Sequence, residues 1–407
     1  MTTICMIGLG YIGLPTAALM ASRGLRVIGV DIDQRVVNTV NAGRIHITEP
    51  DLAGLVREVV QRGLLTAHAA PQPADCFMVT VPTPLTADRR PMMDYVRAAT
   101  DAIAPVLKAG DVVILESTSP VGSTAAMANQ LAAARPDLSI PGDVAIAYCP
   151  ERVLPGRILS ELVQNDRCVG GLTPDCTERA AAIYERVVKG QVLRTDAATA
   201  ELVKLTENSF RDVNIAFANE LSLVSDRHGI DVWEVIRLAN RHPRVNILKP
   251  GPGVGGHCIA VDPWFIVDAA PEEARLIRTA REVNDHKALW VYDRVATAAA
   301  RSEAPITCLG LAFKADVDDL RESPALEIAK RLALGFPGRV SVVEPHIEHV
   351  PAGLNAPLIG LEQALERGGI LVLLVDHTDF ARVPPARLAA ATIIDTRGIW
   401  VQGRLAG

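Results

Sequence analysis

Short apolar runs alternate with segments of helical spacing along residues 1–150. The runs that we interpret as strands are Ile4–Gly8, Leu25–Asp31, Cys76–Val81, Asp111–Glu116 and Val144–Cys149. Between them, segments such as Pro15–Ser22 and Asp94–Leu107 place apolar residues on one face of a helix. This alternation predicts a parallel, doubly wound sheet with helices on its faces.

The pattern changes near residue 197 and again near residue 305. Ala197–Arg227 contains no Gly or Pro and predicts one long helix, and a second helix begins at Asp231 with Glu234 placed to complete a capping box. From Pro305 a second α/β pattern begins, with a helix starting at Ser323-Pro324. Its predicted strands are Ile306–Leu311, Val340–Val343, Ile370–Val375 and Thr392–Asp395. The sequence therefore predicts an α/β protein with two Rossmann-like doubly wound domains, 1–196 and 301–407, joined by a central helical domain, 197–300.

Composition excludes several classes of protein. The 407 residues are 49% hydrophobic, carry a net charge of −6 and include only 4% aromatic residues, which argues against nucleic-acid binding. No apolar run is long enough to span a bilayer, so no membrane association is expected. Seven cysteines without a CxxC pair predict reduced thiols and a cytoplasmic protein. His346-Ile-Glu-His349 lies in a Pro-flanked loop without supporting ligands, and no metal is expected.

The first predicted strand runs directly into a glycine-rich turn. Gly8-Leu9-Gly10-Tyr11-Ile12-Gly13 follows the strand and opens a helix, where glycines allow the backbone to approach a pyrophosphate. Asp31 ends the next strand, eighteen residues after Gly13. Its carboxylate can accept hydrogen bonds from ribose hydroxyls and would repel a 2′-phosphate, which favours NAD over NADP. Arg35 lies within reach of the adenosine end.

A second glycine-rich loop, Gly253-Val-Gly-Gly-His-Cys258, ends in a cysteine and is followed by Asp262. A thiolate is a good nucleophile toward an aldehyde, whereas simple interconversion of an alcohol and a carbonyl needs no thiol. A dinucleotide site together with Cys258 predicts oxidation through a covalent thiohemiacetal to the carboxylate level. Adjacent residues of an extended segment point to opposite sides, so His257 is not expected to pair directly with Cys258.

Six motifs follow one another along nearly the whole chain. They are Gly8-x-Gly-Tyr-x-Gly13, Glu116-Ser-Thr-Ser-Pro-Val-Gly122, Pro150-Glu-Arg-Val-Leu-Pro-Gly156, Lys204-x-x-x-Asn208, Gly255-Gly-His-Cys258-x-x-x-Asp262 and Phe313-Lys314 with Asp319-Leu-Arg321-Glu-Ser-Pro324. In this order they resemble the nucleotide-sugar 6-dehydrogenases, the group of UDP-glucose dehydrogenase. The resemblance implies NAD binding by residues 1–196, dimerisation through 197–300 and UDP-sugar binding by 301–407.

The resemblance also implies a reaction with two oxidations. Asp262, through water or with Lys204, takes the C6 hydroxyl proton as the first hydride leaves. Cys258 captures the aldehyde as a thiohemiacetal, and a second hydride transfer leaves a thioester. Water activated by Glu151 and positioned with Thr118 then hydrolyses this thioester.

The remaining assignments concern ligand contacts. Lys204 and Asn208 lie one helical turn apart, which suits a cation and an amide that stabilise a developing oxyanion. By resemblance, the cofactor contacts are Gly8, Gly10, Tyr11, Ile12, Gly13, Asp31, Arg35, Thr83, Ser117, Thr118 and Arg321. The substrate contacts are Arg152, Val153, Lys204, Asn208, Arg211, Arg244, Gly255 and Lys314. Arg244 resembles an arginine that family members insert into the neighbouring subunit's substrate site, which implies a homodimer.

Four stretches narrow the choice of substrate sugar, because they are similar to the UDP-N-acetyl-D-mannosamine dehydrogenase branch of the family. They are Cys149–Gly156, Glu207–Glu220, Asn240–Leu248 and Cys258–Trp264. Val261 stands where UDP-glucose enzymes usually carry lysine, which counts against glucose. UDP-GlcNAc and UDP-glucose remain alternatives with the same chemistry. A non-catalytic regulator that binds NAD and a UDP-sugar, and a hydroxyacid or 6-phosphogluconate dehydrogenase, are alternatives of other classes, although the last would not need Cys258.

Overall fold

The computed structural model describes residues 2–154, 156–256 and 258–400. It contains two compact units, Met1–Glu207 and Asn208–Gly407, and the boundary between them falls inside one long helix. Each unit has its own sheet and its own apolar core.

Eight strands form the sheet of the first unit. They are β1 (Thr3–Ile7), β2 (Arg26–Val30), β3 (Leu65–His68), β4 (Cys76–Val79), β5 (Val112–Leu115), β6 (Ala145–Tyr148), β7 (Arg167–Gly171) and β8 (Val192–Asp196). Their order is β3-β2-β1-β4-β5-β6-β7-β8, and every neighbouring pair is parallel except β6 with β7, which is antiparallel. The predicted doubly wound sheet is confirmed, but β7 and β8 run opposite to the other six strands, which the apolar pattern did not indicate.

Helices cover both faces of this sheet. They are α1 (Gly13–Ser22), α2 (Gln34–Asn41), α3 (Leu52–Gln61), α4 (Asp94–Ile103), α5 (Ser123–Ala134), α6 (Ile158–Gln164) and α7 (Pro174–Tyr184). Successive residues of a strand point to opposite faces, and Ile4 and Met6 accordingly belong to one core while Cys5 and Ile7 belong to the other. The sheet is thus buried on both sides, as expected for parallel strands.

The second unit contains most of the long helix and a smaller sheet. Its helices are α8 (Ala197–Arg227), which crosses the unit boundary, α9 (Val232–Ala239), α10 (Asp262–Ala269), α11 (Arg275–Ala299), α12 (Pro324–Gly335), α13 (Leu361–Arg367) and α14 (Thr378–Ala381). Its strands are β9 (Ile306–Leu309), β10 (Val340–Val343), β11 (Ile370–Leu373) and β12 (Thr392–Asp395), in the parallel order β10-β9-β11-β12. The predicted α/β class, with two sheets separated in sequence by a helical segment, is confirmed.

Helix boundaries follow the local signals closely. The long helix α8 has the bounds predicted from its lack of Gly and Pro. Ser323 caps α12, and Asp231 caps α9 by accepting the backbone N–H of Trp233 at 3.0 Å. Glu234 does not complete the predicted capping box, because its carboxylate pairs with Arg237 one turn further along. Among the described residues, no helix has the length and apolar character needed to cross a membrane.

A buried polar network joins α8 to α11. Asp212 is fully buried and pairs with Arg281 at 2.7 Å, while Asn284 donates to the same carboxylate at 2.8 Å. Asn219 donates to Asn284 at 2.9 Å and accepts the backbone N–H of Gly251 at the same distance. Burial raises the pKa of Asp212, and the neighbouring guanidinium opposes that rise. The network fixes how α8 and α11 face each other.

We expect Arg281→Ala to lower the free energy of unfolding of this unit by about 3–5 kcal/mol, because it leaves Asp212 buried without its cation. The matched control is Arg331→Ala, which removes an exposed pair with Glu327 on α12 and should cost less than about 1 kcal/mol. Chemical denaturation of both variants measures the difference. Equal midpoints for the two variants would contradict a structural role of the buried pair.

Candidate active site

The loop between β1 and α1 leaves no room for side chains at two of its glycines. Gly8 has a φ of +96°, and a Cβ on Gly13 would lie 1.9 Å from the carbonyl oxygen of Gly8. Thr80 closes the turn by donating its hydroxyl to that same oxygen at 2.8 Å. Gly10 differs, since no atom of the described residues lies within 4 Å of the place where its Cβ would stand. The turn is therefore closely packed at Gly8 and Gly13 and open at Gly10, which leaves room for a pyrophosphate to approach the backbone.

Asp31 is oriented by the backbone of this same turn. One carboxylate oxygen accepts the N–H of Leu9 at 3.1 Å and the other accepts the N–H of Asp33 at 2.9 Å. The carboxylate is thus held at the carboxyl end of β2, where a ribose would lie if its pyrophosphate occupied the glycine turn. Arg35 is exposed and forms an ion pair with Asp33 at 2.8 Å. Its predicted contact with the cofactor stays a prediction.

Thr83, Ser117 and Thr118 lie beyond the ends of β4, which pairs with β1, and of β5, which pairs with β4. Thr83 donates its hydroxyl to the carbonyl oxygen of Thr118 at 2.7 Å, and Ser117 donates to that of Val81 at 2.6 Å. These bonds tie the two loops together at the same edge of the sheet as the glycine turn. The structure therefore collects the predicted cofactor residues of the first unit at the carboxyl ends of adjacent parallel strands, where α/β proteins bind ligands.

Glu151 follows β6 and is only 8% exposed. One oxygen of its carboxylate accepts the Arg167 guanidinium at 2.8 Å, and the other accepts the backbone N–H of Arg152 at 2.6 Å. Arg167, itself 3% exposed, opens the antiparallel strand β7. The sequence singled out Glu151 and Arg152 but not Arg167, because a charged residue at the start of a buried strand has no local signal for its partner.

A second buried carboxylate interacts electrostatically with this pair. Glu116 is buried at the end of β5 and accepts the hydroxyl of Tyr184 at 2.5 Å. Burial raises the pKa of Glu116 to about 7, opposed by the positive charge of Arg167 and reinforced by the negative charge of Glu151. The other oxygen of Glu116 and the Nε atom of Arg167 have no hydrogen-bond partner among the described residues. Of the two buried carboxylates, Glu151 pairs directly with the guanidinium, and Glu116 interacts with it only electrostatically.

The other predicted residues of the first unit lie on α8, in the case of Lys204, and in the segment after β6, in the case of Arg152 and Val153. Lys204 is buried, and Arg152 forms an ion pair with Glu207 at 2.5 Å. Val153 packs against the apolar core on the α1 side of the sheet. Arg152 is therefore fixed at both its backbone and its side chain.

In the second unit, the cysteine loop packs against the segment that follows β9. A Cβ on Gly255 would lie 2.4 Å from the carbonyl oxygen of Glu322, and one on Gly256 would lie 3.0 Å from the ring of Phe313. The carbonyl of Cys258 accepts the N–H of Asp262 at 2.8 Å and so leads directly into α10. Cys258 is partly exposed, whereas the six other cysteines are buried and none forms a disulfide.

Asn208 and Asp262 meet in this unit. The amide of Asn208, on α8, donates a hydrogen bond to the carboxylate of Asp262, which is buried at the first turn of α10. Asp262 is four residues after Cys258, so the loop, the thiol and the carboxylate form one local group with the helix α8. Of the predicted catalytic residues, Asn208, Cys258 and Asp262 are brought together here, and His257 lies outside the described residues.

A cavity of about 340 Å³ opens at the carboxyl ends of β9 and β11. Lys314, Phe313, Gly253, Asp376 and Arg397 line it, and Arg397 donates to Asp376 at 2.9 Å. The sheet order β10-β9-β11-β12 places this cavity where the strand order reverses, a recurrent position for ligand sites. Asp376 and Arg397 were missed from sequence, since only the pairing of β9 with β11 shows that they share an edge with Lys314.

The loop that carries Lys314 is held by buried polar groups. Glu344, at the end of β10, accepts the N–H groups of Leu311 at 2.7 Å and Ala312 at 3.0 Å. His377 lies 3.1 Å from the same carboxylate oxygen and accepts the N–H of Asp316 with its other ring nitrogen. Asp316, His346 and His377 bring metal-type ligand atoms within 4.8 Å of one another. Both ring nitrogens of His377 form hydrogen bonds, one with Asp316 and one with Glu344, so His377 holds the Lys314 loop against the end of β10.

The other cationic residues of the second unit are more exposed. Arg321 forms an ion pair with Asp319 at 2.6 Å in the loop before α12. Arg211 lies on an exposed face of α8. Arg244 is exposed in the segment after α9, where the side chain of Asn240 holds the backbone of Ile247. The predicted ligand contacts of these three arginines stay predictions.

Comparison with known proteins gives a consistent result along the chain. Residues 2–188 match the NAD binding domain of the UDP-glucose/GDP-mannose dehydrogenase family, residues 198–286 match its central domain, and residues 307–402 match its UDP binding domain.

Relatives of similar length extend this match. The chain is 59% identical to an NDP-N-acetyl-D-galactosaminuronic acid dehydrogenase from Ralstonia nicotianae, over 99% of this chain and 97% of that protein. It is 57% identical to a UDP-N-acetyl-D-mannosamine dehydrogenase from Yersinia pestis, over 98% and 99%. A structure of a UDP-D-ManNAc dehydrogenase from Pyrococcus horikoshii superposes with a TM-score of 0.90 at 38% identity, covering 99% and 97% of the two chains.

The NAD-type turn with Asp31 and the cavity at the second sheet agree with these matches. The residues of the turn fit a dinucleotide, because the open side of Gly10 and the held carboxylate of Asp31 leave the space and the acceptor that such a ligand needs. The chain therefore belongs to the UDP-glucose/GDP-mannose dehydrogenase family, and it is an NAD-dependent UDP-sugar dehydrogenase.

Proposed function

We propose that the protein oxidises the C6 hydroxyl of UDP-N-acetyl-D-mannosamine to the uronate, with two NAD⁺ and one water consumed per sugar. The observation that carries the proposal is the group formed by Cys258, Asp262 and Asn208, because a partly exposed cysteine supplies a nucleophile and a held carboxylate one helical turn away supplies a proton acceptor. Relatives from Yersinia pestis and Escherichia coli at 57% and 56% identity, named for this sugar, support the choice.

In the first oxidation, Asp262 takes the C6 hydroxyl proton, directly or through water, as a hydride leaves C6. Bound NAD⁺ supplies the hydride acceptor at this and the later oxidation. The hydrogen bond from Asn208 fixes the carboxylate of Asp262 at the start of α10. Lys204 lies one turn before Asn208 on α8, and we assign to it the stabilisation of negative charge on the C6 oxygen.

In the second oxidation, the Cys258 thiolate adds to the aldehyde carbon and forms a C–S bond. Loss of a second hydride from C6 converts this thiohemiacetal to a thioester. The tight packing of Gly255 and Gly256 holds the loop that presents the sulfur.

Hydrolysis of the thioester completes the reaction. We assign to Glu151 the removal of a proton from water, with Thr118 positioning that water. The oxygen of the water then bonds to C6, the C–S bond breaks, and the electron pair of that bond returns to Cys258. A carboxylate with each oxygen held by a donor keeps one orientation, as a general base requires.

A second sugar has a specific observation in its favour. Two relatives at 59% and 58% identity, from Ralstonia species, carry names that refer to N-acetyl-D-galactosaminuronic acid. UDP-N-acetyl-D-galactosamine is therefore the second candidate. Both candidates share the 2-acetamido group and the C6 alcohol, so the chemistry assigned to Cys258 is the same for either.

We expect an assay of NADH release to give activity with UDP-N-acetyl-D-mannosamine and two NADH per sugar consumed. The panel includes the N-acetylgalactosamine, N-acetylglucosamine and glucose analogues as UDP derivatives. Preference for one of these would replace the proposed substrate. One NADH per sugar would contradict the four-electron reaction altogether.

We expect Cys258→Ser to lose uronate formation by at least about 100-fold while retaining NAD binding, because a serine hydroxyl is a poor nucleophile at neutral pH. Uronate is measured by mass spectrometry of the products. Cys168→Ser, at a buried position on β7, serves as the matched control and should keep its activity. Uronate formation by Cys258→Ser near the wild-type rate would rule out the covalent route.

We further propose that the protein works as a homodimer that buries an apolar face of α8. Phe210, Phe217 and Val224 are 67%, 55% and 49% exposed and lie seven residues apart, so they share one side of the helix. A second copy would cover this surface by twofold symmetry. The exposed Arg244 after α9 is then assigned to the substrate of the partner subunit.

We expect Arg244→Ala to bind the UDP-sugar at least about 10-fold more weakly while its affinity for NAD stays unchanged, as measured by titration calorimetry. Mixing this variant with Cys258→Ser subunits should restore activity, since one composite site of the mixed dimer carries both residues. The control is each variant alone at the same total concentration. Failure to restore activity after confirmed subunit exchange would contradict a shared site.

A further inference from the structure

We propose that Arg167 is a positioning residue for Glu151 in thioester hydrolysis, and that the hydrogen-bonded pair of Tyr184 and Glu116, whose ring lies beside the guanidinium, limits the movement of Arg167. The inference rests on the proposed function, because it concerns the step assigned to Glu151. It is carried by a buried group of charges within the first unit, formed by residues from β5, β6, β7 and α7.

The carboxylate of Glu151 is held at both oxygens. Arg167 donates to one oxygen at 2.8 Å, and the backbone N–H of Arg152 donates to the other at 2.6 Å. Each carboxylate oxygen has two lone pairs, so a position for the proton of water remains at both atoms. The two donors restrict the rotation of the carboxylate without using its full capacity to accept.

Arg167 has few alternatives to this arrangement. Its guanidinium is buried at the start of β7 and lies 5.7 Å from the centre of the Tyr184 ring. A buried guanidinium needs a negative partner, and its planar fork gives that partner a defined direction. The ion pair therefore fixes the carboxylate of Glu151 relative to strand β7.

Glu116 is a second buried carboxylate in this group, and its hydrogen-bond partner is Tyr184. Tyr184 donates its hydroxyl to Glu116 at 2.5 Å and so fixes that carboxylate. The pKa of Glu116 is raised to about 7 by burial, with Arg167 opposing the rise and Glu151 adding to it. Five other titratable side chains interact electrostatically with Glu116. They are Arg167 on β7, Tyr184 on α7, Glu151 and Cys149 after β6, and Cys76 on β4.

This arrangement matters when Glu151 changes charge. As Glu151 takes a proton from the attacking water, its ion pair with Arg167 loses the negative partner. The hydrogen bond that Arg167 donates at 2.8 Å can still be accepted by the neutral carboxyl group, so Glu151 keeps its orientation while the C–S bond breaks. The proton on Glu151 then returns to solvent and restores the pair for the next turnover.

The test uses the full-length protein and follows the acyl enzyme. We expect Arg167→Lys to fold, to release two NADH per site in a burst, and then to turn over on the order of 10- to 100-fold more slowly than wild type. Mass spectrometry should find Cys258 acylated, because Lys keeps the charge but loses the fork that orients Glu151. The matched control is Arg194→Lys on β8, whose exposed pairs with Glu178 and Glu185 predict unchanged kinetics.

Glu116→Gln provides a second variant that keeps the acceptor for Tyr184 and removes only the ionisable group. We expect it to slow hydrolysis roughly 3- to 10-fold while the two hydride transfers keep their rates. A folded Arg167→Lys or Glu116→Gln that hydrolyses the thioester at the wild-type rate, or that slows every step equally, would overturn the inference.

Glu151→Gln serves as the reference for the hydrolysis step itself. If this variant accumulates the acyl enzyme and Arg167→Lys does not, the positioning role of Arg167 is wrong and the proposed reaction stands. If Glu151→Gln accumulates no acyl enzyme, the assigned role of Glu151 fails, and the inference about Arg167 fails with it.

Discussion

A charged side chain that leaves water must find an opposite charge or several hydrogen-bond donors, and both compact units depend on meeting this requirement. In the first unit, Arg167 satisfies Glu151 from a neighbouring strand. In the second, Arg281 satisfies Asp212 between two helices, and His377 satisfies Glu344 at the edge of the small sheet. In each case the partners are far apart in sequence, so the pair fixes one element relative to another. Apolar packing alone tolerates small shifts that such pairs do not.

Close backbone contact is the second constraint, and it acts at both glycine loops. Gly13 lies against the carbonyl of Gly8, and Gly255 lies against that of Glu322, at distances that admit no Cβ. These contacts fix the path of the chain just before α1 and just before Cys258. A loop held by its own backbone can leave its other side open to a ligand, as the environment of Gly10 shows. The same device thus serves a proposed cofactor contact in one unit and a proposed nucleophile in the other.

Local patterns predicted much of the fold. The bounds of α8, the parallel strands β1–β6 and β9–β12, and the cap at Asp231 follow from signals that lie within a few residues of each other. The reversed strands β7 and β8 and the partner of Glu151 were not predicted, because Arg167 violates the apolar pattern of a buried strand and is compensated by a residue on another element. The glycine turn, Asp31 and the cysteine loop were recognisable since their chemistry lies in contiguous residues, whereas Arg397 joins Lys314 only through the pairing of strands.

The distribution of the seven cysteines affects how the protein responds to oxidants. Burial raises the pKa of Cys5 to about 11 and those of Cys149 and Cys308 to about 12, so these thiols hold almost no thiolate near neutral pH. Cys258 is partly exposed and lies in the loop before α10. Peroxide and alkylating agents react with accessible thiolates, so they meet a single target in a chain that contains seven. Thiol oxidation in this protein is therefore concentrated at Cys258, and the six buried thiols offer it no sacrificial protection.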